Sequence, residues 1–234
     1  MYDVQDLRSF YKRSDKVAIA VLPQFDHRLG TVVLNALANL PAEWKIQIFH
    51  SPEIAHNVTS LASLMQYHRI GRLTLTPTIN GSMSYEDYSD LMKNVNFWEQ
   101  VQGEHVLTIQ TDAVLCSNSP YSINDFLEYD WVGAPWKKWP HLLAGNGGLS
   151  LRRKSKLIET IKKCVVEKPR VEDMWYAYCF RQLPHMGRSF SVKLAPQDVS
   201  QHFAVETLYS PTPLGVHKPW AWLPYDEARI SWRS

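Results

Sequence analysis

The sequence predicts an α/β domain built on a mostly parallel sheet. Val17 to Leu22 is an unbroken apolar run, the pattern of a strand buried on both faces. Thr31 to Leu40 carries Val33, Leu34, Leu37 and Ala38 at helical spacing, and Lys45 to His50 then puts Ile46 and Ile48 on one side of a second strand. Strand, helix and strand in such quick succession form a βαβ unit, which implies a parallel pair joined by a right-handed crossover.

The remaining elements follow in order. Pro23-Gln24-Phe25-Asp26 reads as the loop leaving the first strand. Ser84-Tyr85-Glu86-Asp87 has the form of a capping box, and Tyr88, Leu91, Met92, Val95 and Trp98 follow on one helical face. A strand from His105 to Gln110 comes next, with Thr111-Asp112 at its carboxyl end. Residues 113 to 150 are rich in Gly, Pro and Trp, with short strands expected at Trp131-Val132 and from Gly148 to Leu151. An amphipathic helix is expected from Ser155 to Val166, using Leu157, Ile158, Ile161, Cys164 and Val165. Arg152-Arg153-Lys154 and Lys162-Lys163 are assigned to its solvated face. Another helix opens near Glu172, and a tail with Pro211, Pro213, Pro219 and Pro224 is expected to wrap irregularly over the domain.

Composition narrows the classes. The 234 residues suit one large domain, and 45% hydrophobic against 21% charged residues is the mixture of a globular protein with a sizeable core. Nine Trp and eleven Tyr exceed what such a core needs and point to an aromatic binding cleft. The formal charge of +2, without a long basic run, does not demand a nucleic-acid partner. Cys116, Cys164 and Cys179 form no C-x-x-C pair and read as reduced, buried thiols. Met1 to Lys16 has no apolar signal core, and no run approaches the ~18 apolar residues of a membrane span. A cytoplasmic location without a membrane span is the expectation.

Four places carry candidate chemistry. Gln110-Thr111-Asp112 sits where open α/β sheets bind ligands, outside the carboxyl ends of their strands. A carboxylate there suits one coordination position of Mg²⁺ or Mn²⁺, with a nucleotide diphosphate supplying further oxygens; an ordinary turn-capping aspartate is the alternative. Trp131 to Trp136 (WVGAPW) precedes Gly145 to Leu151 (GNGGLSL), whose glycines allow close backbone approach, although the spacing matches neither common phosphate loop. Glu172-Asp173 opens a helix, where the macrodipole alone favours acidic residues; the functional alternative is a general base that accepts the proton of an attacking hydroxyl. His217, in Gly215 to Trp220 (GVHKPW), is either a packed loop residue or a second metal ligand, should the tail return to Asp112.

In this order the motifs resemble the GT-A glycosyltransferases, and more narrowly an uncharacterised group of glycosyltransferases of that fold. The residues carrying the likeness are Phe97-Trp98, Leu107 to Cys116 (LTIQTDAVLC), Tyr129 to Trp136 (YDWVGAPW), Gly145 to Arg152 (GNGGLSLR), Glu172-Asp173 and Gly215-Val216-His217. The resemblance implies a three-layer α/β/α sandwich in a single domain over residues 1–234. Residues from about 15 to 112 would form the nucleotide-sugar-binding half, and residues from about 113 to 234 the acceptor-side half with its C-terminal tail. It implies an enzyme, hexosyltransferase-like, acting on a nucleotide-sugar donor and a carbohydrate or other hydroxyl-bearing acceptor.

The same resemblance assigns roles. Asp112 matches the last position of the metal-binding Asp-x-Asp motif, with Gln110 in place of the first Asp, and His217 would complete a site for Mn²⁺ or Mg²⁺. Asp173 would be the catalytic base, with Glu172 holding substrate or structure beside it. Leu22, Pro23, Gln24, Gln110, Thr111 and Asp112 would bind the donor, and Lys93, from its placement alone on the helix before the Asp112 strand, would approach the diphosphate; Trp136, Asn146, Gly147 and Gly148 would shape the acceptor or sugar side. The reaction implied is a metal-assisted displacement with inversion. A retaining transferase, a non-catalytic nucleotide- or sugar-binding module and a transferase acting on DNA bases remain as alternatives.

Overall fold

The computed structural model describes residues 3–77, 81–167, 169–186 and 189–231. Its centre is a six-stranded sheet made of β1 (Lys16–Leu22), β2 (Lys45–His50), β3 (Leu73–Pro77), β4 (His105–Ile109), β6 (Trp131–Gly133) and β7 (Leu149–Arg153). The order is β3-β2-β1-β4-β7-β6. Strands β1 to β4 run parallel, β7 is antiparallel to both of its neighbours, and the sheet is therefore mostly parallel. Alternation along β1 divides the core: Ala18, Ala20 and Leu22 face α2 (Leu29–Asn39) and α4 (Ala62–Arg69). Val17 and Ile19 face the opposite layer, which includes α6 (Val95–Gln100), α7 (Lys154–Lys163) and α8 (Glu172–Gln182). The result is the α/β/α sandwich expected, with GT-A-like architecture.

The structure also contains elements that the pattern reading did not separate. These are α1 (Val4–Arg13), α3 (Ala55–Thr59), β3, α9 (Gln197–Phe203) and α10 (Tyr225–Ser231). A second, three-stranded sheet has the order β5-β9-β8, from Ala113–Leu115, Gly215–His217 and Ala204–Val205. The tail is thus ordered, and it returns to the domain as a strand.

Several expectations are corrected. The helix begun at Ser84 is two: α5 (Tyr85–Leu91), with its capping box intact, and α6, which restarts where the Asn94 side chain accepts the Asn96 N–H at 2.8 Å. Helix α7 stops at Lys163, so Val165 is exposed rather than packed. Arg152 does not belong to a solvated helix face: it lies in β7 with no exposed surface. Cys164, at the end of α7, and Cys179, in α8, have Cα atoms 5.8 Å apart and form a disulfide; Cys116 alone is a free thiol. Among the described residues no helix is long and apolar enough to cross a membrane.

Candidate active site

Three cavities adjoin one another through shared lining residues, the first at the carboxyl ends of β1 and β4. The first, ≈ 610 Å³, is walled by Ala20 to Arg28, Tyr88 and Ile109 to Asp112, so Leu22, Pro23, Gln24, Gln110 and Thr111 all contribute. The second, ≈ 190 Å³, shares Tyr88, Gln110 and Asp112 with the first and adds Asn146, Gly147, Gly148, Glu172, Asp173, Glu206, His217 and Lys218. The third, ≈ 620 Å³, meets the second at Asn146, Asp173, Glu206 and Trp222, and is lined further by Trp136 and Trp139. Asp112, Asp173 and His217, far apart in sequence, therefore line one cavity.

Strand pairing explains the convergence. Strand β9 pairs antiparallel with β5, putting His217 opposite Ala113, one residue beyond Asp112. The Lys218 N–H then donates to the Asp112 carbonyl at 3.1 Å. Across β4, the Gln110 N–H donates to the Gly148 carbonyl at 2.9 Å, which draws the glycine turn to the same point. Gly148 cannot carry a side chain, because a Cβ there would collide with His217 Nε2. Gly145 has φ +75, the left-handed conformation that favours glycine.

The His217 ring is held from both sides. Its Nδ1 is 3.1 Å from Glu206 Oε1; its Nε2 is 3.1 Å from Gln110 Oε1 and 3.2 Å from Asp112 Oδ1. Burial alone would push the imidazole pKa down, but Asp112 and Glu206 outweigh it and hold the group at about 9. Burial likewise pushes the Asp112 carboxyl up, and His217 and Lys218 bring it below its ordinary value. Asp112 Oδ1 is buried and, although close to His217, accepts no hydrogen bond with good geometry.

These features fit a divalent cation. An orphaned carboxylate oxygen lies beside an imidazole nitrogen whose partner nitrogen is braced by a carboxylate, the usual support of a metal-bound histidine, and a cation would bind there by displacing the proton that the ring otherwise holds. Among the described residues no group of three or more His, Cys, Asp or Glu is arranged to hold a metal ion by itself. Two protein donors leave most positions to ligand oxygens, as hard cations at phosphates commonly do.

The acidic pair behaves asymmetrically. Glu172 Oε1 accepts from Arg152 Nη2 at 2.8 Å, and Arg152 also donates to the Gly147 carbonyl at 3.0 Å and to Ser150 Oγ at 2.8 Å. The Arg152 guanidinium lies 4.0 Å from the centre of the Trp131 ring. This buried assembly ties the glycine turn to the start of α8. Asp173 instead accepts the Gly147 N–H at 3.0 Å and the Met174 N–H at 2.7 Å. Burial, then the neighbouring Glu172 charge, pushes its pKa up to about 7 despite those bonds.

One expectation is not met by this geometry. Lys93 does not line the donor cavity; its ammonium binds Asp90 at 2.9 Å and the Arg170 carbonyl at 3.1 Å. Of the residues expected on the acceptor or sugar side, Trp136 lines the third cavity, Gly147 and Gly148 the second, and Asn146 both. Sequence reasoning also passed over Glu206, Arg28 and Lys218. Arg28 is paired with Asp26 at 2.6 Å, and that partnership holds the Asp26 carboxyl well below its usual range. Lys218 is the sole non-glycine residue with positive φ (47) among the described residues, a strained backbone immediately beside His217. The adjacent Lys-Pro was the one available signal.

The comparisons with known proteins bear on the fold. The chain belongs to the family described as "Protein of unknown function (DUF5672)", whose pattern matches residues 75–217. Among solved structures it is similar to the glycosyltransferase GlyE of Streptococcus pneumoniae TIGR4, with a TM-score of 0.51 and 13% identity over 93% of this chain and 59% of that one. It is also similar to the bifunctional glycosyltransferase WbbM, with a TM-score of 0.55 and 10% identity over 88% of this chain and 45% of that one. The chain thus spans about half of these proteins' length. No curated protein matches it in sequence.

Proposed function

We propose that this protein is a glycosyltransferase that moves a sugar from a nucleotide-sugar donor to an acceptor hydroxyl, with inversion. The observation that carries the reading is the series of three cavities, with Asp112 at one junction and Asp173 at the other. The first cavity takes the nucleoside, between the end of β1 and Thr111. The small second cavity takes the diphosphate and sugar, and the third the acceptor. A Mn²⁺ or Mg²⁺ ion, held by Asp112 and His217, would offset charge on the departing diphosphate.

The chain's own residues do the rest. Lys218 and Arg28 add positive charge near Asp112; for Lys218 the strained backbone is the cost of that placement. Glu172, pinned by Arg152, keeps Oε2 buried without a hydrogen-bond partner, free to accept a hydroxyl of the donor sugar. Asp173 takes the proton of the attacking acceptor hydroxyl. A base with a pKa near 7 combines an ionised fraction at neutral pH with real proton affinity, the match that general-base catalysis favours. The Gly147 N–H steadies Oδ2 of that carboxylate.

The test is release of nucleotide from a panel of nucleotide sugars with Mn²⁺ present, followed by the anomeric configuration of any product by NMR. Release with one donor and an inverted product supports the reading. Retention of configuration would remove Asp173 as base, and silence across the panel would remove the transferase.

A further inference from the structure

The third cavity has a composition that the transfer chemistry alone does not require. Trp136 is buried at its floor, with Trp139 standing edge-on to it, ring centres 6.3 Å apart. Trp222, 62% exposed, closes the side shared with the second cavity. An exposed indole beside other aromatic faces offers a flat apolar surface on which a ring can stack. Lys137 and Lys138 stand at the rim, both exposed, and among the described residues neither has a carboxylate partner. Lys138 Nζ lies 5.2 Å from the Trp139 ring centre. Asp173 is part of the same lining.

We propose that this cavity binds an anionic saccharide, the acceptor of the transfer, an inference that rests on the transferase reading above. Each wall asks for one property. The indole faces ask for a ring with flat C–H surfaces, the lysine pair for a negative group at the mouth, and Asp173 for a hydroxyl directed inward. A lipid lacks the last of these, and a neutral sugar leaves the lysines without a partner. A pyranose bearing a carboxylate or a phosphate has all three. Trp222, touching both cavities, would pack against the acceptor where it meets the donor sugar.

The experiment is calorimetric titration of the full chain, without donor, using trigalacturonate, glucose 6-phosphate and maltotriose. Nucleoside diphosphate with Mn²⁺ is titrated separately. Trigalacturonate or glucose 6-phosphate should bind more tightly than maltotriose and weaken as salt rises. Whichever of the two prevails identifies carboxylate or phosphate as the charge. Lys137→Ala/Lys138→Ala should weaken the anion roughly 2- to 30-fold, the scale of two exposed ion pairs, and Lys137→Arg/Lys138→Arg should restore it. Trp222→Ala should cost roughly tenfold for all saccharides. The lysine changes should leave nucleoside diphosphate binding unaltered.

Equal affinity for maltotriose and the anions, unmoved by the lysine variants, would overturn the charge assignment. Nucleoside diphosphate binding with no saccharide bound would overturn the acceptor site and leave the transferase standing. Saccharide binding with no nucleoside diphosphate bound would do the reverse.

Discussion

Replacing Asp173 by asparagine is expected to have two opposite effects, and the second is diagnostic. The change keeps the shape and an acceptor oxygen for the Gly147 N–H, sets an NH2 against the Met174 N–H, a cost that does not vary with pH, and removes the charge. Transfer should fall by ~10²–10⁴-fold, the usual loss for a positioned base. Stability should move the other way. The carboxyl is only 7% exposed and its pKa is raised from 3.8 to about 7 by burial and by Glu172. A raised folded-state value means that the native protein holds this proton more tightly than the unfolded chain does. Stability is therefore fully present below the unfolded value and is lost as pH rises through about 7. At roughly 1.4 kcal/mol per unit the whole penalty is on the order of 4 kcal/mol, of which roughly 3 kcal/mol develops between pH 5 and pH 8. The asparagine variant escapes it. In a chain of 234 residues the gap in Tm between variant and wild type should widen by about 5–10 °C over that range. Thermal unfolding at pH 5, 6, 7 and 8 reads this directly, and kcat/KM of the wild type should rise to a plateau through the same pH. A gap that does not change with pH would refute the buried-base argument.

Other outcomes follow from single contacts. Gly148→Ala places a methyl group against His217 Nε2 and should weaken Mn²⁺-dependent nucleoside diphosphate binding at least tenfold, measured by calorimetry, while circular dichroism stays native. Arg152→Met leaves Glu172 buried and unpaired and should cost ~3–5 kcal/mol in denaturant unfolding. The double variant with Glu172→Met should recover most of that, since apolar replacement of a whole buried pair is often near neutral. Reducing Cys164–Cys179, separated by 15 residues, should cost about 3 kcal/mol by the loop-entropy estimate. Denaturant midpoints with and without reductant measure it.

The parts of the fold legible in the sequence were those with long, regular periods. The strands β1, β2 and β4, the start of α8 and the Ser84 cap lie where pattern and capping rules put them, within a residue or so. What escaped was set by tertiary pairing. Strands β5, β8 and β9 have three, two and three residues, too short to show a period, and form only because they meet one another. Arg152 reads as a surface charge because its partner, Glu172, is twenty positions away and visible only after folding. The disulfide failed for the same reason, as two cysteines on different helices carry no spacing rule. At the site, Asp112, Asp173 and His217 were chosen by residue type and placement, and the fold brings them to one cavity. Lys93 was chosen by placement alone and is occupied elsewhere. Glu206 gave no signal, since bracing a histidine leaves no trace in sequence.

The account stands on the Asp112–His217 junction as the seat of the donor diphosphate. Titrating nucleoside diphosphates with Mn²⁺ into the wild type and into Asp112→Ala addresses it most directly. Binding to the wild type that depends on the metal and weakens at least tenfold in the variant is the predicted result. Equal titrations for the two proteins, with or without Mn²⁺, would contradict it.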